Sequence, residues 1–330
     1  MSIGTSELVL EQEPAGPSAE LVSGEIAARS PWQLFWRRFR ADRVAMGSAI
    51  VIIALIVIAI AAPLITSIVG VPGPNVNNSN ALDVFGSPTG PSASHPFGVD
   101  QLGRDVFARV LYGTRVSLLV GILGTTIAAL LGTVVGLLSG FFGGWRDTVL
   151  SRAVDVFLAF PVLVLGLGIG AACGVRGCAG GLIQPGIVTV IFIITIASFT
   201  YIARIVRGQV LSLREKEFVE ASRSLGAPNR RIVFREILPN LIAPLVVYTT
   251  LLIPQNILLE AALSYLGVGI RPPTASWGQM ISDAGGYILG GATAWWYMVF
   301  PGAALLLTVL AFNLVGDGLL DALNPRGGTR

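Results

Sequence analysis

Residues 217–240 read EFVEASRSLGAPNRRIVFREILPN and carry the most informative local pattern in the chain. The first part predicts a helix. One side of that helix carries Phe218, Ala221, Ser222 and Leu225. Gly226, followed two residues later by Pro228, is a typical helix end, and RRIVFREIL predicts a second, amphipathic helix. Two short helices joined at an angle predict a compact knob.

The composition around this stretch is that of a membrane protein. Of the 330 residues, 53% are hydrophobic and only 12% are charged, and the mean hydropathy is +0.74. Soluble domains carry about 25% charged residues. Low charge together with long apolar runs places the chain in a bilayer as a multi-pass protein of the cell membrane. A secreted enzyme, a disordered scaffold and a nucleic-acid binder are disfavoured.

The chain lacks the residues of several catalytic sites. Two cysteines and one histidine are too few for a Cys/His zinc site, so we expect no metal or cofactor in this chain. Its one lysine, Lys216, is followed by Glu217, so the sequence has no G-x-x-x-x-G-K-[ST] phosphate loop. An intramembrane hydrolase would need a base near its nucleophile, and His95 lies in a polar segment away from every apolar run.

Six apolar runs are each long enough to cross a hydrocarbon layer of roughly 30 Å at 1.5 Å per residue. They predict an all-α membrane protein with six transmembrane helices near residues 46–68, 116–140, 149–173, 185–204, 241–266 and 295–320. Prolines interrupt several of the runs. We therefore expect kinked helices in a bundle, where neighbouring helices satisfy the freed backbone groups.

The distribution of charge predicts the orientation. Residues 1–30 hold five glutamates and one arginine among Pro, Ser and Gly residues, which predicts a disordered acidic tail rather than a signal peptide. With this tail in the cytoplasm, most of the 22 basic residues fall in cytoplasmic segments, as the positive-inside rule requires. Both termini are therefore predicted to be cytoplasmic.

These observations divide the chain into four parts. They are the tail, 1–30; an interfacial segment, first transmembrane helix and outer loop, 31–115; a core with five transmembrane helices and a cytoplasmic loop of about 205–240, 116–326; and a C-terminal tail, 327–330. The basic, aromatic start of the second part suits an anionic membrane surface. In the outer loop, the spacing of Leu102, Val106 and Val110 predicts a short interfacial helix that leads into the second span.

The stretch quoted first resembles the cytoplasmic loop of the membrane subunits of ATP-binding cassette importers. That loop reads E-A-A, three residues, G, nine residues, I-x-L-P. The matching residues here are Glu220, Ala221, Ser222, Gly226, Leu238 and Pro239. Ser222 replaces the second alanine, and Glu236 stands where isoleucine is usual.

Three further stretches resemble the C-type permease of the dipeptide, oligopeptide and nickel subgroup. They are FGVDQLGRDVFARVLYG (97–113), ALSYLGVGIRPPTASWGQM (262–280) and NLVGDGLLDALNPR (313–326). The resemblance covers about residues 32–326 and implies the type I importer permease fold. It also implies a subunit that is not itself catalytic.

The resemblance implies partners as well. They are a second permease in a heterodimer, two ATPase subunits that bind ATP and Mg, an extracytoplasmic solute-binding protein and membrane lipid. The residues implied to dock into an ATPase subunit are Glu217, Phe218, Glu220, Ala221, Ser222, Leu225, Gly226, Leu238 and Pro239. Taken without the resemblance, Glu220 and Gly226 fit a solvated helix and its cap, which is the usual interpretation of a charge beside a glycine.

Within the family, we expect di- or oligopeptides as the solute. The alternative is nickel or another small solute, but a bare metal path would display more than this chain's one His, two Cys and four Met.

Four residues of the fifth span are candidates for the translocation path: Pro254, Gln255, Asn256 and Glu260. A carboxyl group in a membrane is costly, so Glu260 either faces a water-filled path or makes a structural hydrogen bond to the second permease. If Glu260 instead carried protons, the protein would be an ion-coupled secondary transporter, the alternative from a different class. No inverted repeat of the kind such transporters show is visible.

Two further pairs are structural candidates. Arg152 and Asp155 lie three residues apart on the third span and are predicted to form an ion pair on one helix face. Cys173 and Cys178 flank the next outer turn, where an oxidising compartment permits a disulfide; two free buried thiols are the alternative.

Overall fold

The computed structural model describes residues 31–289 and 294–323. Its α-helices are α1 (Pro31–Ala41), α2 (Arg43–Val69), α3 (Val106–Phe142), α4 (Gly144–Ala159), α5 (Val162–Cys173), α6 (Ile187–Leu213), α7 (Glu217–Ser224), α8 (Asn229–Arg231), α9 (Leu238–Tyr265), α10 (Trp277–Leu289) and α11 (Trp296–Leu323). Apart from short 3-10 turns, a π-helical turn and isolated bridges, these helices are the regular structure of the described residues, as the predicted all-α class requires. The predicted tails, 1–30 and 327–330, lie outside the described residues.

Five helices are long and apolar enough to cross a membrane. They are α2, α3, α6, the continuous helix Asn229–Tyr265 and α11. The continuous helix joins α8 to α9 through the π-helical turn Ile232–Ile237. These five overlap the first, second, fourth, fifth and sixth predicted spans.

The predicted third span, 149–173, is not one helix. Its two halves, α4 and α5, meet at 88°, and the chain crosses the membrane six times if this bent pair counts as a span. Phe160 is extended between them because the ring of Pro161 disfavours a helical conformation in the preceding residue. Proline also donates no backbone hydrogen bond, so the helix ends where the sequence predicted only a kink.

Two other boundaries differ from the predictions. α3 begins at Val106, because the Asp105 side chain accepts a hydrogen bond from the backbone N–H of Ala108 at 2.7 Å and caps the helix. The predicted interfacial helix is therefore the first turns of α3, and Leu102 lies in the turn before it. On the other side, α6 continues to Leu213, so much of the predicted loop belongs to the ends of long helices.

α3 is the central helix and packs along α6 through a row of glycines. The row consists of Gly124, Gly132, Gly136 and Gly140. A methyl group on Gly136 would lie 2.6 Å from Cβ of Val206 and 2.7 Å from the carbonyl oxygen of Ala203. Helices in lipid associate by such close packing, because lipid tails remove the hydrophobic driving force between them.

The outward faces of the bundle are apolar. Ile60 and Ile68 of α2 are 71% and 76% exposed, and Val164 of α5 is 59% exposed. In water such a surface would be an aggregation hazard. Facing lipid or another membrane subunit, it is the surface that a spanning helix requires.

We expect the Gly136→Ala variant to be less stable than the parent protein. The added methyl group overpacks the α3–α6 contact, at a cost of about 1–3 kcal/mol. The unfolding midpoint of the purified protein in detergent measures this change. Gly208→Ala is the matched control, since Gly208 is also inside a spanning helix but its Cβ would meet nothing within 4 Å. Equal midpoints for the two variants would contradict the contact.

Candidate functional site

The eight-residue helix α7 is fastened to the bundle by Val219. This side chain is fully buried, whereas its neighbours Phe218 and Glu220 are exposed. It belongs to an apolar cluster of Leu137, Phe141, Ile202, Val206, Val210, Val219, Ile232, Ile237 and Leu241. We call this set the anchor cluster. Its members come from α3, α6, α7 and the continuous helix Asn229–Tyr265, so Val219 belongs to packing shared with three long apolar helices.

The end of α7 is set by Gly226, as predicted. This glycine has φ +75°, the left-handed conformation that costs glycine no Cβ clash. The backbone N–H of Ala227 donates to the carbonyl of Ser222 at 3.1 Å, the closing bond of a glycine-ended helix. The helix therefore ends before Gly226 and is only eight residues long.

The outward surface of α7 is apolar in part. Leu225 is 88% exposed and Phe218 is 39% exposed, and Ala221 between them is exposed too. Ser222, predicted for the same side, is half-buried. Large apolar side chains exposed on a polar helix are typical of interaction surfaces.

The second half of the motif has a different role in the structure. Leu238 packs against the anchor cluster and Pro239 lies exposed in the first turn of α9. Proline donates no backbone hydrogen bond, and the π-helical turn Ile232–Ile237 ends two residues before Pro239. The motif therefore spans the partly exposed helix α7 and the apolar packing beneath it.

An ion pair that the sequence reasoning missed joins α4 to α6 near the same end. Arg207 donates from Nε and Nη2 to the two carboxylate oxygens of Asp147, at 2.6 and 2.8 Å. Ser151 donates to the same carboxylate at 2.9 Å, and Ser139 of α3 does so as well. This bidentate geometry fixes α4 against α6 and α3.

The predicted pair Arg152–Asp155 is wrong. Asp155 pairs with Arg204 of α6, whose Nη2 lies 2.8 Å from Oδ1 of Asp155. Arg152 lies on the exposed surface of α4. The prediction used only the spacing of residues along one helix. That spacing contains no information about α6, which packs against α4 only in the folded chain.

The polar residues predicted for the translocation path are held by hydrogen bonds within the chain. Glu260 is fully buried, and its carboxyl group accepts from Ser117 at 3.1 Å and Ser264 at 2.8 Å. Asn256 donates to Thr125 and accepts from Ser198, both at 2.8 Å. These bonds connect α9 to α3 and α6.

In this conformation the side chains of Glu260 and Asn256 thus have hydrogen-bond partners within their own chain. Pro254 is buried as well, and Gln255 is exposed. A role of these four residues in the path stays a prediction.

A buried charged network lies at the opposite end of the bundle. Arg104 Nε lies 2.6 Å from Oδ2 of Asp100, and Arg109 Nε lies 3.5 Å from the same oxygen. Asp283 of α10 joins them, 3.9 Å from Nη2 of Arg104, and accepts from the Tyr297 hydroxyl at 3.2 Å. Asp100 and Arg109 are fully buried. The network ties the outer loop to the starts of α3 and α11.

The outer turn after α5 is closed covalently. Cys173 and Cys178 form a disulfide, so of the two alternatives the structure has the bonded one. His95, in the first outer loop, pairs through Nδ1 with Oδ2 of Asp105 at 2.8 Å.

Comparison with known proteins decides the family. Residues 132–327 match the family described as binding-protein-dependent transport system inner membrane component, and residues 30–81 match the N-terminal transmembrane domain of oligopeptide transport permease C. The chain belongs to the binding-protein-dependent inner membrane components. It is thus a membrane permease subunit of an ATP-binding cassette importer, and the ATPase is a separate subunit.

Several relatives are similar over nearly the whole permease. The dipeptide transport system permease protein DppC of Alkalihalophilus pseudofirmus is 40% identical over 318 residues, which cover 96% of each chain. The glutathione transport system permease protein GsiD of Escherichia coli O157:H7 is 42% identical over 299 residues, 90% of this permease and 91% of GsiD. A chain of the inward-facing methionine ABC transporter MetNI has the same fold, with a TM-score of 0.52 and 22% identity over 66% of the permease and 96% of that chain.

Replacing Asp100 by asparagine should destabilise the permease by about 3 kcal/mol, because it leaves two buried arginines without their shared carboxylate. Thermal unfolding in detergent measures the loss. The matched control is Asp155→Asn, which also removes a carboxylate from an arginine. That pair is exposed, with side chains 49% and 61% accessible, so we expect a change below about 1 kcal/mol. If Asp155→Asn lowered the stability as much as Asp100→Asn does, burial of the Asp100 network would not account for the loss.

Proposed function

We propose that this permease and a second permease together form the translocation path of an ATP-driven importer for di- or oligopeptides. An extracytoplasmic binding protein delivers the solute, and two ATPase subunits hold ATP and Mg. The names of the relatives support a peptide solute, since one is a dipeptide permease and the other a permease for glutathione, itself a small peptide. The arrangement is that of a type I importer permease.

The observation that carries the proposal is the geometry of α7. Its outward side holds Leu225 and Phe218 in solvent while Val219 fixes it to the anchor cluster. A helix that only capped a loop would bury its large apolar residues. This one presents them, as a docking element for a groove on an ATPase subunit does.

The charge pattern and the disulfide support the orientation. α7 belongs to the predicted cytoplasmic loop, where arginines are concentrated. The disulfide closes a turn at the other end of α5, which suits an oxidising compartment outside the cytoplasm. We therefore place both termini and α7 in the cytoplasm.

Coupling then follows from how α7 is fastened. ATP shifts the importer between inward- and outward-facing states only if the two states differ in affinity for it. When the ATPase subunits close, they carry α7 with them. Val219 passes this displacement to α3, α6 and α9, because close-packed interiors shift as units rather than deform continuously.

The variant Leu225→Asp tests the docking. The substitution places a charge at the centre of the apolar contact, and we expect recovery of the ATPase subunits with the tagged permease to fall at least about tenfold. ATP-dependent dipeptide uptake should fall with it. Because Leu225 is 88% exposed, the permease itself should still fold and insert.

The matched control is Val84→Asp in the first outer loop, where Val84 is 94% exposed. It introduces the same charge on the predicted opposite side of the membrane and should leave ATPase recovery unchanged. Full recovery of the ATPase subunits with Leu225→Asp would overturn the assignment of α7.

A further inference from the structure

An apolar groove runs along the bundle next to the anchor cluster. It lies between the inner half of α3 and the continuous helix Asn229–Tyr265, and its volume is about 730 Å³. Its walls include Leu130, Val134 and Leu138 from α3 and Phe234 and Val246 from the facing helix. We call it the α3–α9 groove. Its size is within the range of about 300–1,000 Å³ found for pockets that hold small molecules.

The walls of this groove are open rather than packed. Val134 is 54% exposed, Phe234 is 58% exposed and Val246 is 49% exposed. From Asn229 to Thr250 the groove follows the helix for about 30 Å at 1.5 Å per residue. One hydrocarbon chain reaches half of a core that is about 30 Å thick, so the groove is long enough to hold an acyl chain.

The groove ends in a basic pocket. Arg230 and Phe234 line both the groove and this second cavity, which is completed by Pro228, Arg231 and Arg235. The basic pocket has a volume of about 530 Å³. All three arginines are exposed, and among the described residues no carboxylate lies within ion-pair distance of them.

We propose that the α3–α9 groove and the basic pocket together bind one anionic phospholipid. The phosphate lies among Arg230, Arg231 and Arg235, and an acyl chain lies along the groove. The complementarity is twofold, since the ligand must be apolar along the spanning helix and negative where that helix leaves the membrane. Clustered arginines at that position bind anionic headgroups.

This lipid would sit directly beside the anchor cluster. Leu137 and Leu238 belong to the walls of the groove and also pack in or against that cluster. A bound acyl chain therefore completes the packing under α7 from the membrane side. The proposal concerns the membrane surface of the permease and does not depend on which solute is transported.

The test measures the lipid that stays bound to the purified complex. The complex is incubated in mixed micelles with equal parts of phosphatidylcholine and phosphatidylglycerol, washed, and analysed by lipid mass spectrometry. We expect phosphatidylglycerol to be retained selectively. The combined variant Arg230→Gln, Arg231→Gln and Arg235→Gln should lower its retention at least about tenfold, because each arginine contributes to headgroup binding.

Two controls make the result specific. Arg152→Gln, Arg176→Gln and Arg271→Gln together remove the same charge from exposed positions outside the groove and the basic pocket and should leave retention unchanged. Val246→Trp fills the groove and should lower retention without touching an arginine. Ile60→Trp, on the exposed face of α2, should not.

Three results would overturn the proposal. Equal retention of phosphatidylglycerol by the parent and the Arg230, Arg231 and Arg235 variant would show that the pocket holds no lipid. Equal loss in both arginine variants would show general charge attraction only. No selective retention by the parent, with ATPase subunits lost from the Arg230, Arg231 and Arg235 variant, would assign the arginines to a protein partner instead.

Discussion

The close approach of α3 to α6 is the contact on which the rest of the structure depends. Hydrophobic burial does not hold helices together in lipid, so the pair relies on backbones brought close by Gly132 and Gly136. That approach positions Val206 and Val210 of α6, which belong to the same apolar cluster as Val219. A weaker α3–α6 contact would therefore also disturb the packing of α7. The hydrogen bonds of Asn256 to α3 and α6 reinforce the same arrangement inside the membrane.

Charged groups hold the two ends of this bundle in different ways. At the outer end, buried ions are paired within the chain around Asp100, an arrangement that defines one geometry more than it adds stability. At the opposite end, Asp147 and Arg207 join α4 to α6, while Leu225 and Phe218 beside α7's buried Val219 are exposed. The charges around Asp100 are thus paired within the chain, whereas the end that carries α7 leaves large apolar side chains exposed.

Much of this could be predicted from the sequence because the deciding signals are local. Apolar runs located five spans, and Gly226 with the following Pro228 located the end of α7. The missed features depend on residues far apart in the chain. The partner of Asp155 is 49 residues away, and Asp283 meets Arg104 only after the helices have packed. Pro161 predicted an interruption of the third span, but the sequence could not predict its angle of 88°. The surrounding helices decide whether a proline kinks a span or divides it.

The most direct test of coupling through α7 is the number of ATP molecules hydrolysed per solute imported by the reconstituted importer carrying Val219→Ala. The substitution leaves the exposed docking surface intact and removes part of the buried side chain that fastens α7 to the anchor cluster. We expect the ATPase subunits to remain bound and the ratio to rise several-fold, whereas Val154→Ala, which truncates a buried valine of α4, leaves it unchanged. An unchanged ratio with normal uptake for Val219→Ala would contradict transmission through this anchor.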